Sequence, residues 1–209
     1  MDIMSEQEHL ARPGRPRDTG ITERVLSTAT ILFGERGWAG FTIDRVAAES
    51  GVGKSAIYRR WESKEDLLVA ALSAYIVAVE DVDTGSLGGD LLAFARQIMG
   101  LYIGPYGLAT RRLSAEPDFT PALRGRLDEF FDSQVKTARQ LVRRAVDRGY
   151  VDHPLPTTLI LNIINGASMS YSITTPGDVI TPEHADTYAT RLVNFVLAAL
   201  DVSTTSNGI

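Results

Sequence analysis

No cysteine occurs in the 209 residues, which excludes a disulfide framework, a thiolate zinc site and a cysteine nucleophile. Histidine is almost as scarce. His9, His153 and His184 lie far apart in the chain, so neither a multi-histidine metal site nor a cofactor is expected. No apolar run reaches the roughly 18 residues that a membrane-spanning helix requires; the longest candidate, Val69 to Val79, is broken by Ser73. The stretch Met1 to Pro16 carries Asp2, Glu6 and Glu8 and has no apolar core segment, unlike a secretory signal. A cytoplasmic protein with no membrane partner is the expectation. Period-two alternation, internal repeats and low-complexity tracts are also missing. What is present is ordinary: 44% hydrophobic and 22% charged residues, enough for one or two domains with a real core.

The net charge of -5 hides a gradient. Residues 1–11 sum to -3, residues 12–64 to +4 and residues 65–209 to -6. The basic excess is therefore local and N-terminal, and it permits contact with phosphates without demanding it.

Apolar spacing is helical nearly throughout. Val25, Leu26, Ala29, Leu32 and Phe33 form one face of a first helix ending near Gly37. Thr42 caps a short second helix, with Ile43, Val46 and Ala47 inward and Gly51 as its left-handed stop. Lys54 to Trp61 makes a third, and Ser63 caps a long fourth running through Leu67, Leu68, Ala71, Leu72 and Ile76 to Val79. Asp81 to Gly89 reads as a loop. Further helices follow at Asp90 to Ile103, Tyr106 to Glu116, Pro121 to about Arg148, Thr157 to Tyr171, and from Thr181-Pro182 to about Asp201. The fold class expected is all-α. Its parts are a flexible arm holding three arginines (1–20), a first helical unit (21–66), a longer helical bundle (67–203) and a tail (204–209).

Ala47, Gly51 and Ile57 supply the small residue, the turn glycine and the locking apolar residue that two closely crossing helices need in a helix-turn-helix. Around them stand, in series, Phe41-Thr42, Gly51-Val52-Gly53-Lys54, Tyr58-Arg59-Arg60-Trp61 and Ser63-Lys64-Glu65-Asp66-Leu67-Leu68. This series resembles the TetR family of bacterial transcriptional regulators, closely over about residues 21–72 and in outline beyond. Lys54, Ser55 and Ala56, at the start of the second helix of the pair, are the candidate readers of base edges in the major groove. Tyr58, Arg59 and Arg60 follow within reach of phosphates, and Thr42 and Lys64 sit in first turns, where the positive helix end favours a phosphate. Upstream, Arg12-Pro13-Gly14-Arg15-Pro16-Arg17 resembles an AT-hook, so that Arg15 and Arg17 are candidates for a narrow minor groove.

Ala48 to Ser55 also fits a relaxed phosphate-loop pattern, which would make the chain a nucleotide hydrolase. Such a loop must follow a buried strand, whereas Thr42 to Glu49 reads as a capped helix, so no enzyme is expected.

The resemblance implies that residues 21–66 are a DNA-binding domain behind a basic arm, that residues 67–203 are a ligand-binding and dimerisation bundle, and that a small-molecule effector releases a homodimeric repressor from a palindromic double-stranded DNA operator. For the dimer interface the candidates are Ile160, Ile164 and Ala167 on one helix and Tyr188, Leu192, Phe195, Val196 and Ala199 on the last. For the ligand pocket they are Phe94, Ile98, Tyr102, Tyr106, Phe119, Phe130 and Met169. The alternative function is a helical small-molecule binding or interaction module that no longer reads DNA.

Overall fold

The structure, a computed structural model, describes residues 19–115, 120–151, 155–177 and 179–200. Among these residues there is no β-strand. The helices in chain order are α1 (Thr19–Gly40), α2 (Ile43–Ser50), α3 (Lys54–Tyr58), α4 (Lys64–Tyr75), α5 (Leu87–Ile103), α6 (Gly107–Ala115), α7 (Pro121–Asp147), α8 (Thr157–Thr174) and α9 (Pro182–Ala199). Arg15 and Arg17 of the basic arm, Phe119, and the tail after Leu200 lie outside the described residues.

Caps legible in the sequence start most of them. The Thr42 hydroxyl accepts the Arg45 N–H at 3.3 Å, Ser63 accepts the Asp66 N–H at 3.0 Å, and Thr181 accepts the His184 N–H at 3.2 Å. Pro121 and Pro182 occupy first turns, where a missing N–H costs nothing. Three boundaries differ from the sequence expectation. The α3 helix stops at Tyr58, with Arg59 and Arg60 in a turn. The α4 helix ends at Tyr75, because Ile76 leaves helical geometry (φ -101°, ψ 82°). The α5 helix begins at Leu87, where Ser86 accepts the Gly89 N–H at 3.0 Å.

Two apolar clusters organise the chain. The first joins α1 to α4 (Val25, Leu32, Phe33, Val46, Ile57, Leu68) to Leu113 of α6 and Leu123, Leu127 and Phe130 of α7. The second holds Phe94 and Ile98 of α5, Leu141 of α7, Ile160 and Ile164 of α8, and Val193 and Val196 of α9. Between Phe130 and Ala138 on the same stripe of α7 stands Gln134, only 1% exposed, whose amide atoms have no partner among the described residues.

The α1 and α6 helices cross closely at Gly34. A Cβ there would meet the Ala109 backbone nitrogen at 2.8 Å, and Arg112 Nε donates to the Gly34 carbonyl at 3.4 Å. Only a residue without a side chain permits that approach.

Candidate nucleic-acid interface

The α2 and α3 helices are joined by Gly51 in the left-handed region (φ 68°, ψ 20°), Val52 and Gly53. Glycine adopts that conformation without the steric penalty a Cβ would incur. Val46, Val52 and Ile57 are at most 5% exposed and clamp the two helices together. Because Ile57 faces inward from a helix of barely a turn and a half, its neighbours face out. Lys54, Ser55, Tyr58 and Arg59 are all exposed, whereas Ala56 is half-buried.

The candidate contacts are held to different degrees. Lys54 Nζ lies 2.6 Å from Asp44 Oδ1, so the first residue of α3 is tied to the first turn of α2. Arg60 folds back, donating from Nη1 to the Ala56 carbonyl at 2.9 Å. Lys64 Nζ sits 3.8 Å from the centroid of the Trp38 ring and 3.5 Å from the Trp38 carbonyl, a cation–π site on a ring that itself stacks on Phe41. Ser63 already uses its oxygen on the Asp66 N–H and its hydroxyl proton on Asp66 Oδ2 at 2.8 Å, so the start of α4 is less open than the sequence implies. Thr42 is exposed beside Arg45, a cation that sequence reasoning passed over. Its signal is in the sequence: position 45 lies in the first turn of the helix that precedes α3.

The phosphate-loop reading does not survive this geometry. Gly51 to Ser55 follows a helix, and Gly53 O accepts the amides of Ala56 and Ile57 at 2.9 and 3.3 Å to begin the next.

Residues 25–71 match the model of the tetR family of bacterial regulatory proteins, and residues 81–193 match that of the tetracyclin repressor-like C-terminal domain. The chain belongs to the TetR family. A relative, the HTH-type transcriptional regulator AqdR of Rhodococcus erythropolis, is 28% identical over 164 residues, spanning 78% of this chain and 79% of its own. The DNA-binding transcriptional repressor TetR of Mycobacteroides abscessus is 29% identical over 182 residues, 84% of this chain and 91% of its own. Among solved structures, AibR in complex with isovaleryl coenzyme A and operator DNA superposes with a TM-score of 0.66 at 20% identity, over 84% of this chain and 97% of that one. This likeness shows the shared fold.

In the TetR frame the remaining candidates separate. Ile160, Ile164 and Val196 were expected at a dimer interface, but they are at most 3% exposed within the single chain and belong to its own core. Phe195 is 68% exposed and Ala199 is exposed; Leu192, Ala167 and Tyr188 are half-buried, the last with its ring tilted against that of Tyr171, centroids 4.3 Å apart. The expected ligand pocket is not assembled as a set either. Phe94, Ile98 and Tyr102 are core of the second cluster, with Met169 packed against it, and Phe130 is core of the first. Tyr106 alone of the candidates lines the apolar cleft between α4 and the α5–α6 elbow. No helix among the described residues is long and apolar enough to cross a membrane.

Proposed function

We propose that the protein is a cytoplasmic homodimeric repressor, not an enzyme, that reads a palindromic operator and is released from it by a small molecule. The observation that carries this reading is α3 itself. One wholly buried residue, Ile57, pins a short helix whose outward edge presents Lys54, Ser55, Tyr58 and Arg59. Lys54, Ser55 and Ala56 are assigned to base edges, where a lysine reads guanine and a methyl group meets thymine. Tyr58, Arg59, Arg60 and Thr42 are assigned to phosphates, with Arg45 added to them, and Lys64 reaches a phosphate by leaving the Trp38 ring.

A two-fold protein suits a palindromic site. The surface we assign to pairing combines Phe195, Leu192, Ala199, Tyr188 and Ala167 with Leu159, which is 55% exposed. In this reading residues 1–20 form the arm, 21–66 serve DNA, and 67–203 serve ligand and partner, with the basic excess confined to residues 12–64. The solved structure of AibR in complex with isovaleryl coenzyme A and operator DNA, which shares this fold, supports a regulator with both kinds of ligand.

Selection from random duplex DNA with the purified protein, followed by affinity measurement across a salt series, tests the reading. The expected result is a palindromic consensus with a steep negative salt slope. Weak binding without a consensus favours the module that no longer reads DNA.

A further inference from the structure

The α7 helix is covered on one side only. Leu123, Phe130, Ala138 and Leu141 belong to the two cores, whereas Lys136, Arg139 and Arg143 stand exposed on the opposite side at spacings of three and four. They line a shallow groove along the helix together with Asp132, Val135 and Gln140. The groove sets three cations against one carboxylate, in a part of the chain, residues 65–209, whose net charge is -6.

Like charges one turn apart on a helix repel. Other cations of this helix are paired: Arg126 with Glu129, and Arg144 with Asp81 and Asp90. Lys136, Arg139 and Arg143 have no ion pair or hydrogen bond with any described residue. Along one edge of the stripe run Val135 and Val142, half-buried, and Val146, 45% exposed. The face therefore suits a segment that is acidic and also carries apolar side chains.

Such a segment precedes α1. Residues 1–11 hold Asp2, Glu6 and Glu8, no Lys or Arg, and the apolar Ile3, Met4 and Leu10. The tether to it starts near the stripe. Near the start of α1 the Glu23 carbonyl accepts the Tyr75 hydroxyl at 3.3 Å, and the Val79 carbonyl accepts the hydroxyl of Thr137, the neighbour of Lys136, at 3.0 Å. Ten residues separate Glu8 from Thr19; at ~3.3 Å each they span up to ~33 Å, and the stretch 75–79 that bridges Glu23 and Thr137 spans at most about half as much. One exposed ion pair is weak by itself. A tethered segment meets its site at an effective concentration on the order of millimolar, so several weak pairs act together. A second copy is a poorer occupant, because a two-fold pairing through this face sets like charges against each other.

We propose that residues 1–11 dock on the α7 stripe of their own chain, with Asp2, Glu6 and Glu8 against Lys136, Arg139 and Arg143. Docking ties down both ends of residues 12–18 and so shortens the reach of Arg12, Arg15 and Arg17 towards DNA.

The test uses the full chain. Because the sequence has no cysteine, Ser5→Cys accepts a single nitroxide label. At low salt the nitroxide should broaden the amide resonances of Lys136, Arg139 and Arg143, and the broadening should be lost at ~1 M salt, where charges more than ~3 Å apart are screened. It should also be lost in the variant Lys136→Glu, Arg139→Glu, Arg143→Glu, whose exposed positions leave the cores alone, and return when that variant also carries Asp2→Lys, Glu6→Lys and Glu8→Lys. No broadening, or broadening that survives in the α7 variant, would overturn the proposal and leave the stripe to an acidic partner molecule. A combined reversal that fails to restore it would show that these charges do not pair, and would overturn the proposal as well. Broadening that passes from spin-labelled chains to isotope-labelled chains mixed with them would assign the segment to a second copy, against the intrachain contact. None of these readings uses DNA, so a failed operator selection and a failed docking site are distinguishable.

Discussion

Replacing Asp44 by asparagine should tighten operator binding. Lys54 Nζ lies 2.6 Å from Asp44 Oδ1 with the two side chains 55% and 67% exposed, and an exposed pair of this kind stabilises by roughly 0.2–1 kcal/mol. If Lys54 leaves Asp44 for a guanine edge, that amount is spent in every binding event, and Asp44→Asn removes the competitor. The substitution also removes one negative charge within about a Debye length, ~8–10 Å, of the phosphates that the same face approaches. Together the two effects amount to about 1–1.5 kcal/mol, roughly a five- to tenfold gain in affinity. The opposing effect is small and falls on folding. Asp44 lies in the first turn of α2, where a carboxylate favours the helix dipole by ~0.3–1 kcal/mol, so the melting temperature should drop slightly. Fluorescence anisotropy on the selected operator, repeated across a salt series, reads the affinity and a slope steepened by up to about one. Weaker binding with an unchanged slope and intact folding would refute the reasoning. It would mean that Asp44 positions Lys54 for DNA instead of competing for it.

Phe195→Asp should yield monomers in sedimentation equilibrium, because Phe195 is 68% exposed in one chain and carries the centre of the proposed pairing surface; persistent dimers would move the interface elsewhere. Burial, then the neighbouring Tyr106 hydroxyl, pushes the Tyr75 phenol from 10.0 up to about 12. The stability this contributes is complete below the ordinary tyrosine range and is lost as pH rises through about 12; phenolate absorbance of the wild type minus Tyr75→Phe checks it, and titration near the ordinary value would mean that the ring pair comes apart. Gln134→Met should stabilise the fold by about 1–3 kcal/mol in denaturant titrations, since it removes a buried amide with no partner among the described residues. A loss of stability there would show that a water or ligand serves that amide.

Local chemistry made much of the fold legible. Thr42, Ser63 and Thr181 act within three residues of themselves, so their caps are written in the sequence next to the helices they start. The end of α4 is not written there. Ile76 and Val79 continue the helical spacing of Leu68 and Leu72, yet the chain leaves the helix because Arg126, Ser133 and Thr137, at least fifty residues away, take over its backbone. Glycines at 88 and 89 resemble a loop, and only the Ser86 cap turns them into a first helical turn. For the proposed DNA face, residue type and order nominate the side chains, and Lys54, Ser55, Tyr58 and Arg59 are exposed, but the Trp38 ring under Lys64 and the Asp44 partner of Lys54 depend on packing across elements. For the bundle, apolar spacing could not tell a face turned inward from one turned outward. Ile160, Ile164 and Val196 therefore proved to be core, whereas adjacent Phe195 is bare.

Most helix pairs meet through a layer of interdigitated side chains, whose rotamers adjust and absorb small shifts. At Gly34 that cushion is missing, and the backbone of α1 rests on the backbone of α6 at Ala109. At this point no side chain stands between a displacement of α6 and α1, and α2, which packs on α1, is followed by α3, the helix assigned above to reading DNA. In a two-fold dimer the same step occurs in both protomers. If α3 reads DNA as proposed, the spacing between its two copies changes by both contributions at once, and neither core has to rearrange for the pair to shift relative to the grooves of DNA.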